Sequence, residues 1–194
     1  MSRNLTRTRL RTNERLRKSR PHIFGYDESN HGRVPEILVV TYSKDPDSAE
    51  RLYKQLPKIR RGEEGLSRAL FLDVDYRFAV LEDTRLTRAL YESRNKAKAI
   101  AGLIRGFRVE TLTNALLYVD GRQPRDLEEV ICTELRDMSF TNSDRIICEP
   151  DADRSYKIVN AADAVACVLY HKIEREGERG LRRYTDKRVY INFS

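Results

Sequence analysis

From residue 22 onward, apolar positions come in short dense runs separated by charged and glycine-containing segments. Residues 23–27 (Ile-Phe-Gly-Tyr-Asp) and 36–42 (Glu-Ile-Leu-Val-Val-Thr-Tyr) are rich in β-branched and aromatic side chains and flank a turn containing Asn30, Gly32 and Pro35, a pattern that predicts a hairpin. Residues 76–81 predict a third strand and residues 144–148 a fifth. Between them, residues 115–120 are almost continuously apolar, as in a strand covered on both faces. Helical spacing governs three longer stretches. Leu86, Leu90, Ala97, Ile100, Ala101 and Ile104 predict one helix over residues 83–106, the longest of the chain, with Asp83 or Thr84 as its N-cap. Residues 125–138 are helical by period, and Val159, Ala162, Val165, Ala166, Leu169 and Ile173 line one side of a helix from residue 156 to about 175. A shorter helix over 47–56 and a charged loop over 58–66 complete the reading. A hairpin followed by strands alternating with helices predicts an α/β fold: a mixed five-stranded sheet flanked by helices.

Composition fits that reading and adds one asymmetry. The 194 residues, 40% hydrophobic and 35% charged, suit a soluble protein with one full core. No apolar run approaches the roughly 20 residues needed to cross a bilayer, so no membrane partner is expected. The first residues lack the apolar stretch of a signal peptide, which leads us to expect an intracellular, cytoplasmic protein. Cys132, Cys148 and Cys167 show neither metal-ligand spacing nor an even count, and read as reduced thiols. Charge is unevenly placed. Residues 1–20 hold eight basic side chains and one acid, leaving 29 of the 37 basic and 29 of the 30 acidic side chains for the rest, so the whole net charge of +7 lies in this stretch. We therefore expect a basic, flexible arm over residues 1–20 and a single domain over 21–194. Such an arm either neutralises nucleic-acid phosphates or serves as a solvated terminus.

The acids at the strand ends carry the chemistry. Strand one ends at Asp27-Glu28 and strand four at Asp120. In open α/β sheets, ligands sit at the carboxyl ends of strands. If strands one and four are parallel neighbours, these carboxylates converge, and adjacent like charges are unfavourable without a compensating cation. An all-oxygen set with no His or Cys spacing suits Mg²⁺ or Mn²⁺ rather than zinc. Two further acids are candidates to complete it. Asp153 lies in the loop after strand five. Asp163 lies in the Ala-rich helix that follows, where an Asp has poor helix propensity and is costly to bury without a partner. Asp73 and Asp75 form another acidic pair, which alternation places on an exposed face, outside the site.

Three segments resemble a known family. Asp27-Glu28-Ser29-Asn30-His31-Gly32 resembles the D-E-A-G-R-G opening of type 2 ribonuclease H, Val119-Asp120-Gly121-Arg122 its V-D-G-N, and residues 153–162 its A-D-x-x-Y-x-x-V-x-A-A segment in register. They occur in the family's order, over residues 23–172. The resemblance implies a ribonuclease H-like fold and hydrolysis of phosphodiester bonds in RNA or RNA·DNA hybrid by two metal ions, with Asp27, Glu28, Asp120 and Asp153 as the ligands. Asn30, His31, Arg33, Arg122 and Lys157 are then the expected contacts to nucleic acid, whether RNA, hybrid or DNA. The chain departs from the pattern where A-G-R becomes Ser29-Asn30-His31, in a loop that reads the ribose 2′-hydroxyl in the family. A second group of ribonuclease H-like proteins, beginning Asp-Glu-Ser-Gly, resembles Asp27-Glu28-Ser29 more closely and carries an Ala-Asp in its last helix, as Ala162-Asp163 does. Either Asp153 or Asp163 completes the site on this reading. The alternative is a catalytically silent ribonuclease H-like module that binds nucleic acid or protein.

Overall fold

A computed structural model describes residues 22–29, 34–44 and 75–193. The expected arm over residues 1–20, the short helix over 47–56, the charged loop over 58–66 and Asp73 lie outside the described residues. The strands are β1 (Ile23–Ser29), β2 (Glu36–Ser43), β3 (Asp75–Leu81), β4 (Leu116–Asp120) and β5 (Ile146–Glu149), in the sheet order β3-β2-β1-β4-β5. β1 and β2 pair antiparallel, as do β2 and β3, whereas β1–β4 and β4–β5 are parallel. The mixed five-stranded sheet is thus as the sequence predicts, and strands one and four are the parallel neighbours that convergence of their acids requires.

Both faces of the sheet are covered, which is why all eight positions of β2 are buried. One face packs on α2 (Ser93–Arg105) and α3 (Leu127–Glu134). Phe24, Tyr26, Leu38 and Val40 from the strands meet Ile100, Leu103, Ile104 and Ile131 from these helices. The other face packs on α5 (Lys157–Glu176), which follows the single-turn α4 (Ala152–Ser155). There Ile37, Val39 and Phe78 meet Ala162, Val165, Ala166 and Leu169, and Leu181 and Tyr184 from a 3-10 segment, Gly177–Lys187, close the cluster.

Three expectations are corrected. The helix over residues 83–106 is two, α1 (Thr84–Ala89) and α2, and the longest helix is α5 with 20 residues. Asp83 does cap α1, its side chain accepting from the Arg85 amide. The break follows from Asn95, whose side-chain amide donates to the Ala89 carbonyl in place of a backbone N–H, while Glu92 adopts an extended conformation. Leu90 stays in the core across the bend and Tyr91 turns outward, half exposed. The third helix also ends early: Arg136–Met138 tightens to a 3-10 turn and Ser139 takes a left-handed conformation, letting Leu135 and Phe140 both reach the core. Finally, Asp144 and Arg145 form a 3-10 turn, so β5 begins at Ile146 and includes Glu149.

α5 lies unusually close to β1. A Cβ on Gly25 would stand 2.5 Å from the carbonyl carbon and oxygen of Ile158, so only glycine permits the approach. The buried Thr41 hydroxyl on β2 lies 2.6 Å from the Ile158 carbonyl oxygen and 3.2 Å from that of Gly25, fixing helix, β1 and β2 together.

Candidate active site

Alternation along β1 divides its residues between the two faces. Ile23 packs with Ile158 and Val159, and Gly25 lies under Ile158, so Asp27 continues the α5 side. Phe24 and Tyr26 belong to the α2 side, which Glu28 continues. On β4 the last pairing is Tyr26 with Val119, so Asp120 follows Val119 as Asp27 follows Tyr26. Tyr118 packs in the cluster with Ile23 and Ile158, placing Asp120 on the α5 side too.

Asp27 is buried, with 5% of its surface exposed. Burial and then the nearby Asp163 carboxylate push its pKa well above the ordinary aspartate range, with Asp120 and Glu28 adding to the rise. The Glu28 amide works the other way, donating to Asp27 Oδ1 at 2.7 Å. Asp120 is held by its Oδ1, which accepts from the Ala152 amide at 2.6 Å, and by Gln123, whose side-chain amide donates to the Asp120 carbonyl. Asp153 sits half-buried in the first turn of α4 and is not among the groups that shift Asp27 most. Asp163, on the exposed side of α5, is the largest charged influence on it.

Glu28 has different company. Lys96 of α2, only 4% exposed, places its ammonium 3.1 Å from both carboxylate oxygens, and the Tyr26 hydroxyl donates to Oε2 at 2.7 Å. Burial first, then Glu28, holds the Tyr26 phenol well above its usual pKa, so it remains a donor. The two faces meet at the carboxyl ends of β1 and β4 in a cleft of about 470 Å³, lined by Asp27, Glu28, Asp120, Lys96, Tyr91 and Arg122 among others. Among the described residues, no group of three or more His, Cys, Asp or Glu side chains stands close enough to hold an ion as placed.

Comparison with solved structures places this architecture. The chain matches ribonuclease H2 from Pyrococcus horikoshii OT3 at 24% identity over 81% of this chain and 78% of that one, with a TM-score of 0.55. RNase HII from Archaeoglobus fulgidus, solved in complex with PCNA, matches at 23% over 80% and 78%, TM-score 0.52. Bst-RNase HIII, solved in complex with Mn²⁺, matches at 17% over 89% and 70%, TM-score 0.51. The fold is ribonuclease H-like. No protein-family model matches the sequence, and neither does any curated protein.

Within this ribonuclease H-like sheet, the sequence-predicted acids divide into two groups. Asp163 and Asp120 bear on Asp27 from the α5 side, while Glu28 is engaged by Lys96 and Tyr26. Arg122 is exposed at the cleft rim, and Lys157 opens α5, half-buried. Asn30, His31 and Arg33 lie outside the described residues. Three contributors were not singled out from the sequence. Lys96 had a signal, since it precedes Ile100 by four and Leu103 by seven and so falls on the apolar face of α2. Tyr91 had none, because its exposure depends on the helix break. Glu149, whose Oε2 accepts from the Tyr156 hydroxyl at 3.1 Å and which pairs with Asp120, was hidden by the late start of β5.

Proposed function

We propose that the protein is a metal-dependent nuclease that hydrolyses phosphodiester bonds of RNA or RNA·DNA hybrid in this cleft. One observation carries the reading: Asp27 is a buried carboxylate at the carboxyl end of a central strand, raised in pKa first by that burial and then by the carboxylates of Asp163 and Asp120 on the same side. Acids of this kind suit a hard divalent cation, Mg²⁺ or Mn²⁺, which Asp27, Asp120 and Asp163 would hold by drawing closer together than they stand here, with Asp153 as the reserve ligand from α4. Bound there, the ion supplies Lewis-acid stabilisation of charge that develops on phosphate oxygens. The rest is done by the chain. The Glu28 and Ala152 amides orient the carboxylates of Asp27 and Asp120. Arg122, exposed at the rim, is placed to meet a backbone phosphate, and Lys157, Asn30, His31 and Arg33 are the further candidates for such contacts. The half-exposed Tyr91 presents a ring to the cleft on which a base or sugar can stack. The likeness to type 2 ribonucleases H, which reaches 24% identity at most among those given above, supports the choice of substrate class.

A second reading, a ribonuclease H-like module that binds nucleic acid without cutting it, is favoured by the engagement of Glu28 with Lys96. One experiment separates the two. Labelled RNA·DNA hybrid, single-stranded RNA and duplex DNA are incubated with the protein and Mg²⁺ or Mn²⁺, beside Asp120→Asn. Metal-dependent cutting that disappears in the variant supports the nuclease. No cutting of any substrate, with binding intact in both proteins, leaves the binding module.

A further inference from the structure

The adjacent acids Asp27 and Glu28 lie side by side in sequence but on opposite faces of β1, and their charges are met in opposite ways. On the α5 side, the strongest influences on Asp27 are its own burial and other carboxylates. On the α2 side, Glu28 is fully answered. Its two oxygens lie 3.1 Å from the Lys96 ammonium, and one of them also accepts from the Tyr26 hydroxyl at 2.7 Å. The ammonium in turn stands 5.7 Å from the centre of the Tyr26 ring, and the Lys96 side chain is 5% exposed against 11% for Glu28. A Lys this deeply buried depends on its partner, because removing one member of a buried ion pair leaves an uncompensated charge. For Glu28 to ligate a metal, the ion would have to sit against the buried Lys96 ammonium or displace it.

We propose that the Lys96 ammonium is a resident counter-ion for Glu28, withdrawing it from the ligand set, so that the cleft takes one divalent cation rather than two. The inference rests on the metal-binding reading of Asp27, Asp120 and Asp163 given above, and concerns what this chain has done to the second carboxylate of the pair. Lys96 is a positioning residue here: it holds Glu28 and, through it, one wall of the cleft. It is too buried to serve as the contact for a substrate phosphate.

The test is a titration of the intact protein with MnCl₂, counting bound Mn²⁺ per chain by calorimetry and by the loss of the free-ion electron paramagnetic resonance signal. Wild type is expected to bind one Mn²⁺. Because Lys96→Met alone strands the Glu28 charge and threatens folding, the decisive variant is the double substitution Lys96→Met with Glu28→Gln, which removes both charges together and keeps an oxygen for Tyr26. It is expected to bind one Mn²⁺ with an affinity within about threefold of wild type. A loss of about tenfold or more, the scale seen when a group that supports a metal site is removed, makes Glu28 a ligand and overturns the inference. Two Mn²⁺ per wild-type chain overturns it as well while leaving the nuclease reading intact. No Mn²⁺ bound at all brings down both.

Discussion

Asp27 is the residue on which the energetics of the cleft turn. Its folded pKa lies above the ordinary aspartate value because burial and the carboxylates of Asp163 and Asp120 all disfavour the ionised form. The folded protein therefore binds a proton more tightly than the unfolded chain. It follows that, without divalent ions, Asp27 costs stability as pH rises from the ordinary aspartate range through its raised folded pKa. Asp27→Asn removes that dependence and keeps an oxygen for the Glu28 amide. At neutral pH in a chelating buffer, the variant should melt a few degrees above wild type, since about 1 kcal/mol moves Tm by roughly 2–4 °C in a chain of this size. The gap should narrow toward acid pH, and Mn²⁺ should raise the Tm of wild type only. Thermal melts of both proteins across a pH series, with and without Mn²⁺, check this. A variant less stable than wild type at every pH would show that Asp27 carries no strain.

At the scale of elements, the site depends on where α5 crosses β1, and that crossing is set by Gly25. Adding a methyl group there forces backbone against backbone at Ile158, and no flexible side chain is available to give way. Gly25→Ala should cost about 1–3 kcal/mol, the usual penalty for overpacking, measured by urea denaturation. It should also weaken Mn²⁺ stabilisation, because moving α5 moves Asp163 relative to Asp27. An unchanged Mn²⁺ response in a folded Gly25→Ala protein would show that the helix position does not set the site. The same crossing explains what was legible in the sequence. The five strands and α5 could be read because their apolar patterns are continuous and each element is long enough to show its period. The break between α1 and α2 could not, since Leu90 and Ala97 stand seven residues apart and stay in step whether or not the helix continues. Asp27 and Asp120 were readable as strand ends. The preference for Asp163 over Asp153 in the proposed site was not, because it rests on the influence of Asp163 on Asp27 across the contact of α5 with β1, which no motif records. Nor was the separation of Asp27 from Glu28: adjacency in sequence suggests a shared role, whereas the pleat sends neighbouring side chains to opposite faces, and the Lys that meets Glu28 lies 68 residues away.

Across the molecule, the α5 face of the sheet is completed late, by the 3-10 segment that brings Leu181 and Tyr184 under α5 and β3. Arg188 then ties the segment down, pairing with both Glu82 and Glu178. Leu181 is 1% exposed, so Leu181→Ala should destabilise by about 2–4 kcal/mol in urea denaturation, and a change below about 1 kcal/mol would mean this segment packs only loosely.

Charge sets the last expectation at this scale. Residues 21–194 balance their acids and bases, so attraction to nucleic acid over a distance must come from the eight basic side chains among residues 1–20. Each phosphate they neutralise releases counterions and adds about −0.9 to the slope of log affinity against log salt on a duplex, or about −0.7 on a single strand. Deleting residues 1–20 should therefore flatten that slope by up to about 7 on RNA·DNA hybrid and by up to about 6 on single-stranded RNA. Cutting at saturating substrate should be unaffected, because the deleted residues hold none of the carboxylates. Fluorescence anisotropy over a salt series, run on the full chain and the deletion, gives both slopes. If they coincide, the phosphate contacts belong to Arg122, Lys157 and their neighbours at the cleft, and the basic stretch contributes only net charge. If the slope flattens while the cutting rate at saturation also falls, residues 1–20 place the scissile phosphate as well as attract it.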